Sequence, residues 1–199
     1  MRNSWPSSAA ELESLQLELA ALEPPAWRPS PALVVGAVFA CGPRGVTGSG
    51  AADDPGWAAV VVGRQSSAVS GRLGAPYSPG LLALREGELL ERAGRSLADK
   101  PDVLLVNATG RDHPRRAGLA LHLGWALDVP TIGVTARLLH DGEGAARTPG
   151  GLWVHAAWRT EAETALQIVA SVTGRARTPA PLREARRLAR TARSYGGPT

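Results

Sequence analysis

Leucines near the start of the chain recur at helical spacing. They fall at three- and four-residue steps from Leu12 to Leu22, and Ser7 or Ser8 can cap the helix that this pattern predicts. Prolines follow at once. We therefore interpret residues 1–31 as an N-terminal helix followed by a Pro-rich linker.

Short apolar runs rich in β-forming residues predict strands in the rest of the chain. These runs cover residues 33–41, 57–63, 66–71, 103–106 and 131–134, with a further candidate at 152–156 after a Gly-rich loop at 141–151. After a turn at residues 76–80, helical patterns cover residues 81–98, 114–127, 160–173 and 180–193. Three early strands with short turns, followed by alternating strands and helices, predict an α/β fold with a mixed β-sheet flanked by helices.

Positive charge is concentrated at the end of the chain. The 22 basic and 18 acidic residues give a formal net charge of +4, and Lys100 is the one lysine. Residues 175–199, a basic C-terminal helix or tail, hold seven arginines and a single acid, Glu184. Arginine makes planar, bidentate contacts to phosphate, so this segment suggests a polyanionic partner. Mutational bias in the coding DNA explains the arginine excess equally well.

Several protein classes are excluded by what the sequence lacks. Cys41 is the single cysteine, which excludes a disulfide framework and a Cys-rich zinc module. No apolar stretch approaches the roughly 20 residues needed to span a bilayer, and residues 1–6 lack the apolar part of a signal peptide. We expect one domain over residues 1–199, a cytoplasmic monomer with no membrane partner.

Polar side chains are concentrated after the predicted strand at 103–106. Residues 107–116 bring together Asn107, Asp112, His113 and two arginines, between a strand and a helix. The His113-Pro114 pair fits a helix start, whose N-terminus would attract a phosphate or a carboxylate. A polar connecting loop that only caps the helix is the alternative.

Two further side chains could carry chemistry. Glu86 follows Leu82 by four residues on the apolar side of its predicted helix, so it is a metal ligand or a base if it faces inward. Alternatively, it is exposed and pairs with Arg92. Tyr77 lies between prolines and could stack on bases, although most such tyrosines simply pack.

Taken together, these segments resemble the endonuclease V family, nucleases that nick nucleic acid beside deoxyinosine or inosine. The resemblance spans residues 8–193, and its motifs keep their order along the chain. They are the strand at 33–41, the turn and helix at 76–82 with Arg85-Glu86, the strand at 101–106, the loop with Gly110 and His113-Pro114-Arg115-Arg116, and the segments 118–124 and 130–134. The resemblance implies an RNase H-like fold.

The resemblance also implies roles for individual residues. It implies Mg²⁺ at Glu86 and Asn107, and the candidate catalytic residues are Glu86 with Asn107, or with Asp112 as a substitute. Tyr77, between two prolines, would be the wedge that replaces a flipped base, Gly110 would border the base pocket, and two arginines would face phosphates. The implied nucleic-acid-binding residues are Pro76, Tyr77, Pro79, Gly110, His113, Arg115 and Arg116. The implied partner is DNA or RNA that contains inosine.

This chain departs from the family pattern at the catalytic positions. Val38 stands where the first strand of the family carries an aspartate, and Asn107 stands where the loop begins with one. Ala136 and Trp158 replace a lysine and a late histidine. Since Mg²⁺ needs anionic oxygen ligands, we expect cleavage to be weak or lost, and a non-catalytic binding or interaction module is the alternative.

Other acids could compensate for these losses. Asp112, Asp53 and Asp54 are the candidates, and Asp112 is the best placed because it follows Asn107 by five residues.

Overall fold

The computed structural model describes residues 5–139 and 145–196, which form seven strands and five helices. The strands are β1 (Val35–Cys41), β2 (Pro55–Val62), β3 (Gln65–Arg72), β4 (Val103–Val106), β5 (Thr131–Thr135), β6 (Ala145–Arg147) and β7 (Trp153–Ala156). The helices are α1 (Ala9–Ala20), α2 (Leu82–Arg95), α3 (Leu119–Leu127), α4 (Ala162–Thr173) and α5 (Ala180–Tyr195). Within these ranges no helix has the length and apolar character needed to cross a membrane.

All seven strands form one mixed sheet in the order β3-β2-β1-β4-β5-β7-β6. The central strands β1, β4 and β5 are parallel, while β2 and β3 on one side and β7 and β6 on the other pair antiparallel. The predicted mixed sheet is therefore confirmed. The carboxyl ends of the three parallel strands meet at one edge, where α/β proteins place their sites.

Helices cover both faces of this sheet. Along β1, Val38 joins an apolar cluster with α2 and α3, whereas Ala37 joins a second cluster with α4 and α5. The same alternation in β4 puts Leu104 in the first cluster and Leu105 in the second. Burial on both faces explains why the sequence of β4 is entirely apolar.

The N-terminal helix is confirmed with its predicted cap. Ser8 is the N-cap of α1, and its side chain accepts a hydrogen bond of 3.3 Å from the backbone N–H of Glu11. Leu12 and Leu19 are fully buried in the first cluster, so α1 closes that face of the molecule.

The start of α3 differs from the prediction. The helix begins at Leu119 rather than at residue 114, because the backbone N–H of Gly118 turns back to the carbonyl of Gly110 at 2.9 Å. Arg116 in this segment has a left-handed φ of 57°. The predicted helix start and anion site at His113-Pro114 is therefore wrong.

The Gly-rich segment predicted as a loop contains a short strand. Residues 145–147 form β6, which pairs antiparallel with β7; residues 140–144 lie outside the described part of the chain. Three residues of mixed polarity carry too little periodicity to signal a strand in sequence.

The arginine-rich C-terminal segment is an integral part of the fold. Leu182, Ala185 and Ala189 of α5 are buried against the sheet, on the face opposite α2. Packing of this apolar stripe fixes the direction in which the arginines of α5 project.

Candidate nucleic-acid interface

A cavity of about 580 Å³ opens at the sheet edge where β4 and β5 end. Asn107 and Thr135 reach it from the strand ends, Glu86 from α2 and Arg186 from α5. Tyr77 stands at its rim. Both helical layers thus contribute to one site at the carboxyl edge of the parallel strands, as expected for this fold class.

Glu86 is the acidic residue among the described residues that line this cavity. It is half-buried, and burial raises the pKa of Glu86 to about 7, against an opposing effect of the Arg85 charge. Arg85 itself faces away, since its Nη2 pairs with Asp54 at 3.2 Å. Arg92, the alternative partner, donates to a backbone carbonyl of β3 instead.

The two positions that lack the aspartates of the family pattern offer little to a cation. Val38 is fully buried and pairs with Val60 and Val106, so it has no donor atom to present. Asn107 is exposed in the cavity but carries a neutral carboxamide.

This donor set does not fit Mg²⁺. That ion requires hard, anionic oxygens in octahedral geometry. Among the described residues that line the cavity, Glu86 is the only carboxylate. Across residues 5–139 and 145–196, no group of three or more His, Cys, Asp and Glu side chains converges to hold a metal.

Asp112 is engaged within the protein. Its Oδ1 accepts a hydrogen bond of 3.0 Å from the N–H of Gly110, and its Oδ2 lies 2.7 Å from Nδ1 of the buried His155. His155 Nε2 in turn lies 2.7 Å from the hydroxyl of Thr135. Although burial opposes it, contacts with His155 and Gly110 hold the pKa of Asp112 below its usual value. This chain of contacts ties the loop after β4 to β7 and β5.

The other two acids that could compensate also lie away from the cavity lining. Asp54 accepts a 2.8 Å bond from the N–H of Ala51 and pairs with Arg85, and the Ala51 contact lowers the pKa of Asp54 most. Asp53 is exposed, with a left-handed φ of 63°.

The proline turn before α2 is exposed at the cavity mouth. Pro76, Tyr77 and Pro79 all face solvent, and the Tyr77 side chain is 46% exposed. The backbone N–H of Tyr77 donates to the carbonyl of Ser49 at 2.7 Å, which holds the turn in place. An aromatic ring presented in this way is available for stacking.

His113 joins this turn to the loop after β4. Its Nδ1 accepts a hydrogen bond from the N–H of Arg115 at 3.1 Å, so Nε2 is free to donate to the carbonyl of Gly80, also at 3.1 Å. His113 is buried and is among the residues that line the cavity. It therefore positions the turn that carries Tyr77.

The two loop arginines diverge. Arg115 forms an ion pair with Glu13 of α1 and is half-buried. Arg116 is exposed in a separate groove of about 450 Å³, together with Arg111 and Arg159. Their side chains therefore lie in different parts of the surface.

Gly110 packs against β7. A side chain at this position would place its Cβ 2.1 Å from the carbonyl oxygen of Ala156, so only glycine fits. The N–H of Arg111 donates to that same carbonyl at 2.8 Å. Close approach of two backbones, rather than turn conformation, is what requires glycine here.

Arg186 is the late-chain side chain that reaches the cavity. Trp158 is instead buried in the first apolar cluster, and Ala136 lines the cavity without a charge. The guanidinium of Arg186 lies over the ring of Phe39, 5.1 Å from its centroid. Sequence reasoning missed this residue because seven C-terminal arginines look alike; the border of the apolar stripe of α5, next to Ala185, is the signal that could have singled it out.

A second groove, of about 370 Å³, runs along α5 and shares Arg186 with the cavity. We call it the arginine groove. Its lining consists of Arg44, Arg183, Arg186, Arg187, Arg190, Thr191 and Ser194.

Sequence comparison matches residues 56–152 to the family described as Endonuclease V. Endonuclease V of Dictyoglomus thermophilum is 47% identical over 64 residues, which are 32% of this chain and 28% of that protein. Endonuclease V of Haloarcula marismortui is 53% identical over 64 residues, 32% of this chain and 24% of that protein. The matched segment thus spans about a quarter of the length of these curated relatives.

Solved structures match nearly the whole chain. Endonuclease V from Streptomyces avermitilis has a TM-score of 0.83 at 24% identity, with 96% of this chain and 95% of that chain covered. Endonuclease V from Ciona intestinalis, in complex with a 24mer DNA containing an inosine followed by a ribo-adenosine, has a TM-score of 0.79 at 21% identity, with 94% and 97% covered. These likenesses confirm the predicted RNase H-like fold.

Proposed function

Since the chain belongs to the endonuclease V family, we propose that it binds nucleic acid containing inosine or deoxyinosine and cleaves it weakly or not at all. A single observation carries this proposal. Among the described residues of the cavity, Glu86 is the lone carboxylate, in a site that still presents an exposed aromatic turn and two arginines.

Weak cleavage follows from the electrostatics of the cavity. A metal-assisted nuclease needs its ion to generate the nucleophile and to stabilise the leaving oxygen. Val38 and Asn107 supply no negative charge, and the oxygens of Asp112 are held by Gly110 and His155. We therefore assign Asp112 to support of the loop rather than to catalysis.

Binding is supported by the surface around the cavity. Tyr77 is exposed at the rim and is linked to the buried His113 through Gly80, so the ring is presented on a fixed turn. The arginine groove continues from the cavity along α5. Endonuclease V from Ciona intestinalis, which shares this fold, is bound to inosine-containing DNA in two structures, and this makes deoxyinosine DNA the first probe to use.

Restoring the carboxylates tests the proposal directly. A labelled duplex with one deoxyinosine is incubated with excess protein and Mg²⁺ or Mn²⁺, and nicking is followed on denaturing gels. We expect the parent protein to nick at least about 100-fold more slowly than the Val38→Asp, Asn107→Asp double variant. Fluorescence anisotropy should show that both proteins bind the duplex.

Two control variants support the interpretation. Asn107→Asp alone avoids the cost of burying a charge at Val38, and adding Glu86→Gln to the double variant should abolish any activity gained. Circular dichroism checks that each variant is folded. Metal-dependent nicking by the parent protein at the rate of the double variant would overturn the loss of catalysis, and absence of binding would overturn the nucleic-acid role.

A further inference from the structure

The charge balance of the cavity favours an anion over a cation. Its described lining contains one carboxylate, Glu86, and two arginines, Arg137 and Arg186. Val38 and Asn107, at positions where the family carries aspartates, are neutral. A site whose fixed charges are mainly positive attracts phosphate and repels a divalent metal.

Arg186 is held in place without a protein counter-charge. Its Nε is buried and, within the described residues, has no hydrogen-bond partner. No carboxylate of the described chain lies within ion-pair distance of it, and its guanidinium rests on the ring of Phe39. Arg186 is half-buried, and a partly desolvated charge without a counter-charge costs free energy that a bound anion recovers.

Burial and the charge of Arg190 lower the pKa of Arg186 from its usual value. Arginine nevertheless stays protonated at neutral pH, because its reference pKa lies so high. Its planar fork is also the geometry that matches two phosphate oxygens.

Arg186 lies where the cavity meets the arginine groove, along which a nucleic-acid strand could bind. Arg183, Arg186 and Arg190 are three and four residues apart on α5, so they project from one side of the helix. Arg186 is the residue shared by the cavity and the arginine groove. A strand whose backbone follows the groove would deliver one phosphate to the cavity.

We propose that Arg186 is the built-in cation of this site: it binds a backbone phosphodiester directly at the cavity, so that nucleic acid binds without a divalent metal. This inference rests on the proposed nucleic-acid binding. It assigns the ligand as a polynucleotide backbone rather than free phosphate, because the arginine groove extends beyond the cavity.

Binding measured with and without metal tests this assignment. Fluorescence anisotropy with a labelled deoxyinosine oligonucleotide, as DNA and as RNA of the same sequence, is recorded in EDTA and in MgCl₂ at constant ionic strength. We expect the Kd of the parent protein to differ by less than about threefold between the two buffers. Arg186→Gln should weaken binding about tenfold in EDTA. The affinity of Arg186→Lys in EDTA should fall between those of the parent protein and Arg186→Gln, because lysine keeps the positive charge but lacks the planar guanidinium.

Arg64→Gln is the matched control, since Arg64 is exposed in the turn between β2 and β3, away from the cavity and the groove. It changes net charge equally and should alter Kd by less than about twofold. Inorganic phosphate is added as a competitor, and displacement of the oligonucleotide at low millimolar concentration would show that free phosphate is the ligand.

Failure of this inference can be told apart from failure of the proposed function. Binding that requires Mg²⁺, or that is equally strong in Arg186→Gln and Arg64→Gln, would overturn the role of Arg186 while nucleic-acid binding stands. No binding to either oligonucleotide in any buffer would overturn both. Circular dichroism and thermal melts confirm that the variants are folded, and Arg186→Lys remains the informative variant if Arg186→Gln does not fold.

Discussion

At the scale of single residues, Asp112 shows how a polar side chain in this site can serve the fold. Its two oxygens are held by the N–H of Gly110 and by His155, and His155 reaches the hydroxyl of Thr135 at the end of β5. Removing one member of a buried carboxylate–imidazole pair is strongly destabilising, because the other member stays buried without its partner.

We expect Asp112→Asn to lower the free energy of unfolding by about 3 kcal/mol. The variant removes the charge that faces His155 while leaving that imidazole buried. Urea denaturation at pH 7 measures the change. Asp128→Asn is the control, because Asp128 is exposed at the C-cap of α3 with a left-handed φ of 51° that asparagine also tolerates.

The control should shift stability by less than about 0.5 kcal/mol. Because the folded pKa of Asp112 is lowered, its stabilisation is complete above the unfolded value of about 3.9 and is lost as the pH falls through the folded pKa. The difference between the parent protein and Asp112→Asn should therefore shrink when the urea titration is repeated near pH 3. Equal urea midpoints at pH 7 would contradict the structural role.

Single residues also show which parts of the candidate site could be predicted from the sequence and which could not. The spacing from Leu82 puts Glu86 on the apolar side of its helix, because that relation is local, but it leaves open an exposed Glu86 paired with Arg92. His155 and Arg186 could not be singled out, since each acquires its role through partners far away in sequence, Asp112 and Phe39 respectively. Such contacts exist only after the chain has folded.

At the scale of elements, strands and helices were predictable where one periodic pattern covers the whole segment. β4 and α5 are examples, because burial on two faces and an apolar stripe each leave a repeating signal. The start of α3 was not predictable. It is set by packing of Gly110 and Gly118 against Ala156 and Thr109, which no local pattern encodes.

Gly110→Ala should destabilise the loop that precedes α3. Its Cβ would lie 2.1 Å from the carbonyl oxygen of Ala156, and this backbone contact cannot be relieved by a rotamer change. We expect a loss of about 1–3 kcal/mol, which corresponds to a fall in Tm of several degrees for a protein of this size.

Gly150→Ala is the control for that substitution. Gly150 is exposed, and the nearest atom to a Cβ there is 3.7 Å away. Its melting temperature should stay within about one degree of the parent value. If both variants have the same Tm, the close approach to Ala156 does not require glycine at position 110.

At the scale of the whole molecule, charge is arranged so that the arginines of α5 project beside the cavity while its apolar residues hold the sheet. Leu182, Ala185 and Ala189 make the packing contacts. The charged side can therefore be altered without removing the contacts that fold the protein.

The Arg183→Gln, Arg190→Gln double variant should weaken binding to duplex DNA and reduce the dependence of log Kobs on log salt by about two. Anisotropy titrations at several salt concentrations give this slope. Arg28→Gln, Arg64→Gln changes the net charge equally at exposed positions outside the groove. A similar loss of slope in both double variants would indicate a general effect of net charge rather than contact along α5.

The spacing of arginines on α5 also sets a contact length. Arg183 and Arg190 are seven residues apart in one straight helix, and a rise of 1.5 Å per residue separates them by about 10 Å along its axis. Consecutive nucleotides of one B-form strand advance by about 3.4 Å, so the stripe matches roughly three nucleotides. We therefore expect a footprint of about three nucleotides on the flank next to α5, with oligonucleotides extended further on that flank gaining little affinity.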